Sequence, residues 1–163
     1  MNAISDDTPR PRGPDDFPSA GPNSLASLYQ RAGARVVDTI LIGVPAVLVI
    51  LPFITVEGDK VTAIPSWAIL PFVVMMVVYE VVLETWLGQT LGKMLFGVRV
   101  ARLVNGTGPD VSQVTLRALV PASVLAIPLV RVLYPFVYLT AGFSPMRRGV
   151  HDHAGGTVVV RTR

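Results

Sequence analysis

Two long apolar runs, residues 36–56 and 64–87, contain acidic side chains: Asp38 lies in the first run, and Glu80 and Glu84 lie in the second. A helix rises ~1.5 Å per residue, so each run is long enough to cross a hydrocarbon layer of ~30 Å. A charge at the centre of a membrane helix costs roughly 2.5–3.5 kcal/mol, so such residues are usually paired, shielded and functional. The sequence therefore predicts an integral membrane protein that is organised around these carboxylates.

The composition favours the same class. Of the 163 residues, 51% are hydrophobic and only 15% are charged, which is too apolar for an ordinary soluble domain of this size. The basic residues behind the net charge of +3 flank the apolar runs, which indicates orientation in a bilayer and not nucleic-acid binding. The chain has no cysteine, which excludes disulfides, thiolate metal sites and a cysteine nucleophile.

The chain divides into a tail and a membrane domain. Residues 1–23 contain five prolines, four aspartates and almost no apolar side chains. Such a segment cannot bury enough apolar surface to offset the conformational entropy lost on ordering. We therefore predict a disordered cytoplasmic tail over residues 1–23 and a transmembrane domain over residues 24–163. Its spans are expected at about residues 36–56, 64–87 and 118–143.

The third apolar run, residues 118–143, is interrupted. Pro121, Pro128 and Pro135 recur at intervals of seven, and Arg131 lies in the middle. Proline removes a backbone hydrogen bond from a helix, so a regular isolated helix is not expected here. Two arrangements remain open: a single kinked helix, or two proline-broken halves that enter and return. The second is favoured.

Basic residues predict the orientation of the spans. Four precede the first run, one separates the first two runs, four follow the second, one lies inside the third, and four end the chain. Because cytoplasmic loops are enriched in basic residues, the amino terminus and residues 88–117 are predicted to be cytoplasmic. A third segment that returned would keep the carboxyl terminus on that side too. The predicted location is the plasma membrane, as a multi-pass protein.

Two short stretches outside the apolar runs are predicted to be strands. Residues 98–103 alternate apolar with basic side chains, and residues 155–161 are rich in valine. The two are expected to pair at the cytoplasmic surface. The predicted fold is therefore mainly α and membrane-embedded, a small helical bundle of two transmembrane helices and a third, kinked or re-entrant element, with one short β pairing.

Five polar side chains are expected at one depth in the cytoplasmic third of the bilayer. Arg31 and Asp38 are seven residues apart, almost two helical turns, so they share a helix face, with Arg35 between them. Glu80 and Glu84, four residues apart, share a face of the second span and approach the same depth. The sequence permits these side chains to converge below residues 88–117, the predicted cytoplasmic loop.

Three segments together resemble the RDD family of membrane proteins: RAGARVVD at 31–38, GQTLGKMLFGVRV at 88–100 and RGVHDHAGGTVV at 148–159. The resemblance covers about residues 27–160. It implies a multi-pass membrane protein of unsettled molecular function, for which transport of undefined ligands has been suggested, including cation/proton exchange in some members. The family is named for one arginine and two aspartates, which carry over to Arg31, Asp38 and Asp152.

Two functions from different classes are compatible with these residues. The first is transport of a small cation or proton, with Asp38 as the central ligand, Arg31 and Asp152 balancing its charge and Glu80 assisting. Glu80 pairing with Arg131 is an equal alternative. The second is a non-transporting structural or regulatory membrane subunit whose Arg/Asp network stabilises helix packing and recruits partners or lipid. An enzyme is not expected, because no nucleophile elbow, Ser-His-Asp arrangement or dinucleotide glycine pattern occurs.

The remaining charged side chains are expected in supporting roles. Glu84 is expected to reach the membrane interface, and Lys93 and Arg99 to meet anionic lipid headgroups or helix carbonyls. His151 and His153 are expected at the surface, because two histidines without cysteines do not make a metal site. Expected partners are the bilayer, anionic headgroups, and other copies of the chain or a membrane complex; no cofactor, metal or nucleic acid is expected. The supporting residues are Arg35, Glu84, Lys93 and Arg148.

Overall fold

The computed structural model describes residues 12–65 and 67–163. The described residues are mainly helical, at 58%, which confirms the predicted class of secondary structure. The described residues form six α-helices: α1 (Leu28–Ile50), α2 (Ile69–Leu87), α3 (Leu91–Leu95), α4 (Val111–Ala126), α5 (Tyr134–Leu139) and α6 (Val150–Ala154). They also form four strands: β1 (Thr55–Glu57), β2 (Lys60–Ala63), β3 (Val98–Arg102) and β4 (Thr157–Arg161).

Helix α1 begins at a reciprocal cap. The backbone N–H of Gln30 donates to the Ser27 hydroxyl (3.2 Å), and the Ser27 N–H donates to the Gln30 side chain (3.0 Å). This capping box satisfies two N–H groups that would otherwise lack partners at the start of the helix. The side chains that α1 buries recur every four residues and so share one face. They are Ala34, Asp38, Ile42, Ala46 and Ile50.

Of the helices in the described part of the chain, two are long and apolar enough to cross a membrane. One is α1 with the 3-10 turn that extends it to Phe53, and the other is α2. They overlap the first two predicted spans with different bounds: α1 begins eight residues before residue 36, because the cap at Ser27 sets its start, and α2 begins five residues after residue 64. The outward side chains of α1 are apolar and exposed, as in a helix that faces lipid; Val44, for example, is 58% exposed.

Helices α1, α2 and α4 meet in a small apolar core. Ile42 of α1, Val73 and Met76 of α2, and Ala122 of α4 form one buried cluster. Helix α2 ends at Gly88, whose positive φ of 67° is easily adopted by glycine and turns the chain directly into α3. The end of α2 and the start of α1 therefore lie beside α3.

The third apolar segment forms two helices. Helix α4 keeps Pro121 inside it, but it ends before Ile127, whose extended backbone (ψ 114°) is the conformation favoured before Pro128. A 3-10 turn at Arg131–Leu133 then leads into α5, and α6 packs back against α4. The third segment therefore returns to the end of the bundle from which it started, and it does not form one continuous kinked helix.

The strands form two separate antiparallel pairs. Strands β3 and β4 pair with Val98 opposite Arg161, so the pairing predicted for residues 98–103 and 155–161 is present. Strands β1 and β2 form a hairpin between α1 and α2 that turns at Gly58 (φ 60°). All side chains of this second pair are exposed.

Residues 12–26 run along the β3–β4 pair. The backbone N–H of Asn23 donates to the carbonyl of Arg161 (2.9 Å), and Phe17 packs against the buried side chains of the sheet. Of the predicted disordered tail, residues 1–11 lie outside the described residues. The rest of that stretch makes these contacts, because Phe17 supplies apolar surface and the sheet edge supplies backbone acceptors.

Candidate functional site

Five charged side chains from five helices form a chain of alternating sign where α1 begins. Arg31 of α1 pairs with Asp152 of α6, and Asp152 also pairs with Arg117 of α4. Arg117 Nε lies 3.4 Å from Glu84 Oε2 of α2. Glu84 Oε1 lies 2.5 Å from Lys93 Nζ of α3. We call these five residues the charge network.

Asp152 is the centre of the charge network and is fully buried. Its Oδ2 also accepts the N–H of Gly149 (3.0 Å) at the start of α6. Burial would raise the pKa of Asp152, but the guanidinium groups of Arg117 and Arg31 outweigh it and hold the pKa far below its usual range. Asp152 is therefore a carboxylate at neutral pH, and it joins α1, α4 and α6.

His151 and Arg148 flank this carboxylate without sharing its role. His151 is buried, with Nδ1 3.3 Å from the carbonyl of Val137, and burial lowers the pKa of His151 to about 3. Arg148 is also buried, and it donates to backbone carbonyls, from Nε to Thr157 (2.8 Å) and from Nη2 to Asp152 (3.2 Å). Arg148 thus supports the loop around α6 and does not pair with the Asp152 carboxylate.

A separate ion pair lies beside the charge network. Arg35 Nη1 pairs with Glu80, and Arg35 Nη2 donates to the Tyr134 hydroxyl at 2.7 Å. Arg35 Cζ lies 4.8 Å from the ring centroid of Tyr138, within the range of a cation–π contact. Glu80 is therefore neutralised by Arg35, and the alternative pairing with Arg131 is not formed.

Asp38 is held by uncharged donors. Its Oδ1 accepts from the Tyr79 hydroxyl (2.6 Å) and the Gly92 N–H (2.8 Å), and its Oδ2 accepts from the Thr90 hydroxyl (2.6 Å). Only glycine fits at Gly92, because an added Cβ would lie 2.2 Å from the carbonyl oxygen of Ala34 and 2.8 Å from Asp38 Oδ1. Asp38 therefore fixes the start of α3 against α1.

A cavity of about 480 Å³ lies among α1, α4 and α5, beside both groups of charges. Exposed apolar side chains such as Val36 and Leu139 form its outer wall. Charged side chains form its inner wall, so the cavity combines an apolar mouth with a polar end. These charged residues are Arg31, Arg35, Asp38, Glu80, Lys93 and Arg117.

Comparison with known proteins decides the family. A model described as the RDD family matches residues 25–156. The chain belongs to the RDD family. The uncharacterized membrane protein YteJ of Bacillus subtilis (strain 168) is 25% identical over 145 residues, which cover 86% of this chain and 84% of YteJ. No solved structure matches the chain.

The resemblance to the RDD family is thus confirmed, and with it the class of membrane protein of uncharacterized function. The three residues that name the family lie at one end of this RDD domain, but they are not in mutual contact. Arg31 pairs with Asp152, whereas Asp38 binds the donors of α2 and α3. Arg31 and Asp38 share a helix face, as expected, but they do not form an ion pair with each other.

Three predicted surface positions are corrected in this RDD domain. Glu84 is fully buried and does not reach the interface, because Lys93 and an arginine of α4 both approach it. Lys93 is buried by the same contact and does not lie at the headgroup surface. His151 is buried, and only His153 has the expected exposure.

Several polar residues of the site lack a predicted role. Arg117 falls in the predicted loop, although its spacing of three from Val114 places it on the buried stripe of α4, which is a detectable signal. Thr90 is the N-cap of α3, a position that threonine favours. Tyr79 and Tyr134 carry no pattern that separates them from ordinary membrane aromatics.

Proposed function

We propose that this RDD domain is a non-transporting structural or regulatory membrane subunit without enzymatic activity. The charge network carries the proposal, because it joins α1, α2, α3, α4 and α6 through buried or nearly buried side chains of alternating sign. Removing one member of a buried ion pair leaves an uncompensated charge and costs about 3–5 kcal/mol. The charge network therefore stabilises the packing of helices that are far apart along the chain.

A double-mutant cycle tests whether the charge network stabilises the packing of the helices. Asp152→Asn and Arg117→Gln each leave a buried charge without its partner, whereas the double variant removes both charges. The double variant should therefore lose less stability than the sum of the two single variants. The measurement is the free energy of unfolding by SDS titration in mixed micelles. Strictly additive losses would contradict the proposal.

The proposed subunit lies in the plasma membrane with both termini in the cytoplasm. The contact between Arg31 and Asp152 supports one common side for the two terminal regions. The basic residues on that side support its assignment to the cytoplasm, and the third segment then enters and leaves from it. The cysteine-free chain permits Asp59→Cys and Thr162→Cys as single reporters. Only the first should react with an impermeant thiol reagent added outside, and labelling of position 162 would overturn the arrangement.

Transport of a small cation or proton is the second candidate, and the cavity favours it. Asp38, Arg31 and Glu80 all line this space. In a transporter Asp38 would be the central ligand, with Arg31 and Asp152 balancing its charge. Proteoliposomes that contain a pH-sensitive dye measure proton-coupled flux under an imposed Na⁺ or K⁺ gradient. Flux that Asp38→Asn abolishes without unfolding would overturn the structural proposal, and absence of flux from the unaltered protein supports it.

We further propose that the subunit works with other membrane components, either copies of itself or a complex, and that its basic end meets anionic headgroups. Two exposed arginines at that end, Arg147 and Arg163, support the lipid contact. Native mass spectrometry from vesicles with and without anionic lipid tests both points. A lone monomer with no lipid preference would contradict them.

A further inference from the structure

Arg131 is an exposed charge in the middle of the third apolar segment. It begins the 3-10 turn Arg131–Leu133 between α4 and α5. Its guanidinium forms no ion pair with any of the residues that the structure describes. By contrast, Arg35 of α1 and Arg117 of α4 each pair with a buried carboxylate. The charge of Arg131 is therefore not neutralised within the described part of the chain.

The direction of α4 shows at which end of the bundle Arg131 lies. Arg117, in the first half of α4, lies beside Glu84 near the end of α2. Farther along α4, Ala122 packs against Val73, in the first half of α2. Helix α4 therefore runs antiparallel to α2, from the charge network toward the start of α2, and Arg131 follows at the far end.

Helix α4 ends before it reaches the level at which α2 begins. Helix α2 begins fifteen residues before Glu84, about 22 Å away, whereas α4 ends nine residues after Arg117, about 14 Å away. Arg131 stays near this end of α4, because its N–H donates to the carbonyl of Ile127 (3.1 Å). Trp67 lies just before α2, and indoles favour the membrane interface. The backbone of Arg131 therefore lies in the apolar layer, up to about 8 Å from this interface.

The surroundings of Arg131 are apolar and open to lipid. Leu129 and Val132 are 87% and 71% exposed, so in a bilayer both meet acyl chains. A charge that remains in the hydrocarbon is costly, and an arginine reduces that cost by extending its guanidinium to the interface while its aliphatic stem stays among apolar groups. The short distance to the interface permits this extension. The guanidinium of Arg131 therefore meets the headgroup region.

The acceptor in the headgroup region is a phosphate. A guanidinium forms paired hydrogen bonds with phosphate oxygens. One positive charge matches a phosphodiester lipid with a single net negative charge, whereas a zwitterionic lipid carries its own cation. A second copy of the chain is a poorer partner, because the carboxylates on its two long helices are buried. They are Asp38, Glu80 and Glu84. The favoured ligand is therefore an anionic phospholipid.

We propose that Arg131 binds the phosphate of an anionic phospholipid in the leaflet opposite the charge network, and that Leu129 and Val132 contact its acyl chains. This site is separate from the lipid contact of Arg147 and Arg163, which lies in the other leaflet. The domain thus binds headgroups in both leaflets. The inference rests on the proposed position of the protein in a membrane, but it does not depend on the stabilising role of the charge network.

Quenching by brominated lipid tests this site, because bromine quenches a tryptophan that it contacts. Val132→Trp places a reporter beside Arg131 after Trp67 and Trp86, the two native tryptophans, are replaced by phenylalanine. The protein is reconstituted in phosphatidylcholine with increasing fractions of brominated phosphatidylglycerol. We expect phosphatidylglycerol to be enriched about fivefold at the reporter, the usual effect of one basic residue near anionic lipid. A reporter that meets the two lipids in their bulk ratio would overturn the proposal.

Two variants test whether Arg131 causes the enrichment. Arg131→Gln removes the charge of an exposed side chain, so the fold should keep its stability and the enrichment should disappear. Lys60→Gln is the matched control, because Lys60 is an exposed cation in the hairpin between α1 and α2. It should leave the enrichment unchanged. Enrichment that persists in Arg131→Gln, or an equal loss in both variants, would contradict the assignment to Arg131.

A second reporter position separates failure of this site from failure of the proposed membrane position. Leu48→Trp, at a position of α1 that is 62% exposed, should meet phosphatidylglycerol in its bulk fraction. Equal enrichment at both reporters would mean that Arg131 does not select the lipid. If brominated lipid quenches Leu48→Trp but not Val132→Trp, a protein covers the turn and the lipid proposal is wrong. If it quenches neither, the proposed position in the membrane fails as well.

Discussion

Asp152 and Asp38 lie at the same end of the bundle and are both buried, at 0% and 2% exposure, but their surroundings differ in kind. Asp152 is held by two guanidinium groups, from Arg31 and Arg117. Asp38 receives three hydrogen bonds from uncharged donors and pairs with no cation among the described residues. One carboxylate is neutralised by charge, and the other is solvated by dipoles.

The two carboxylates therefore hold the same end of the membrane domain together through two kinds of interaction. The contacts of Asp152 with Arg31 and Arg117 span 121 and 35 positions of the chain, so charge pairing ties distant segments together. The donors to Asp38 come from α2 and from the short stretch that follows it. Loss of a charged partner leaves another buried charge unpaired, whereas loss of a neutral donor removes one hydrogen bond. Substitutions around Asp152 should therefore cost more than those around Asp38.

The largest effect is expected from Asp152→Asn. The amide keeps the shape of the side chain but leaves Arg31 and Arg117 without their shared counter-charge, at a cost of about 3–5 kcal/mol. The measurement is the free energy of unfolding in SDS-containing micelles, together with the yield of folded protein. Asp59→Asn, in the exposed hairpin turn, is the control and should change neither quantity. If Asp152→Asn loses no more stability than the control, Asp152 does not depend on its charged partners, and it does not differ from Asp38 in this respect.

Gly92→Ala tests the crowding around Asp38. The added Cβ would lie 2.2 Å from the carbonyl oxygen of Ala34, and backbone cannot move aside as a flexible side chain does. We expect a loss of about 3 kcal/mol, at the upper end of the usual cost of overpacking. Gly108→Ala is the matched control, because nothing lies within 4 Å of its Cβ position. Equal stability of the two variants would mean that α3 can shift away from α1 freely.

The helices could be predicted more fully than their arrangement. Apolar runs and proline spacing locate α1, α2 and the break at Pro128, because these properties act locally along the chain. The start of α1 after its cap at Ser27 depends on capping side chains and not on hydrophobicity, so the apolar run alone does not locate it. The prolines and the basic residues favour a returning third segment, but the pairing of Arg117 with Asp152, which joins α4 to α6, is a long-range contact that no local pattern encodes.

The candidate site shows the same limit at the level of side chains. The helical periodicity brings Arg31 and Arg35 to the correct end of α1, but it does not select their partners. The two arginines reach different acids, Asp152 and Glu80, because that choice depends on where α2 and α6 pack around α1. Arg117 completes the charge network from a segment predicted to be a loop, and only its spacing from Val114 indicates the buried face of a helix.

The third prediction concerns His151, the imidazole beside Asp152. Unfolded, this group takes up a proton below its ordinary pKa of 6.5, whereas burial holds its folded pKa at about 3. Its contribution to stability is therefore fully present above pH 6.5 and is lost as the pH falls toward 3. At pH 5 the loss should be about 2 kcal/mol relative to pH 7. The lowered pKa of Asp152 affects stability only below the ordinary pKa range of aspartate. It therefore does not contribute to the change expected between pH 7 and pH 5.

Unfolding measured from pH 7 to pH 4.5 checks this prediction. His151→Phe should flatten the profile, because the buried imidazole that must be kept neutral is gone. His153→Gln removes the neighbouring exposed histidine and should leave the acid sensitivity in place. A profile that is as steep in His151→Phe as in the unaltered protein would assign the acid sensitivity to another group.

The smallest effect is expected at Thr90, a neutral donor to Asp38. Its hydroxyl donates to Asp38 Oδ2 (2.6 Å) and accepts the Lys93 N–H (3.4 Å), so it caps α3 and holds the carboxylate at once. Thr90→Val keeps the shape and removes both contacts, which should cost about 1 kcal/mol by the usual value of an N-cap. Thr90→Ser retains the hydroxyl and should keep most of the stability. A loss in Thr90→Val as large as that in Asp152→Asn would mean that Asp38 relies on this single donor as heavily as Asp152 relies on its arginines, and the distinction between the two carboxylates would fail.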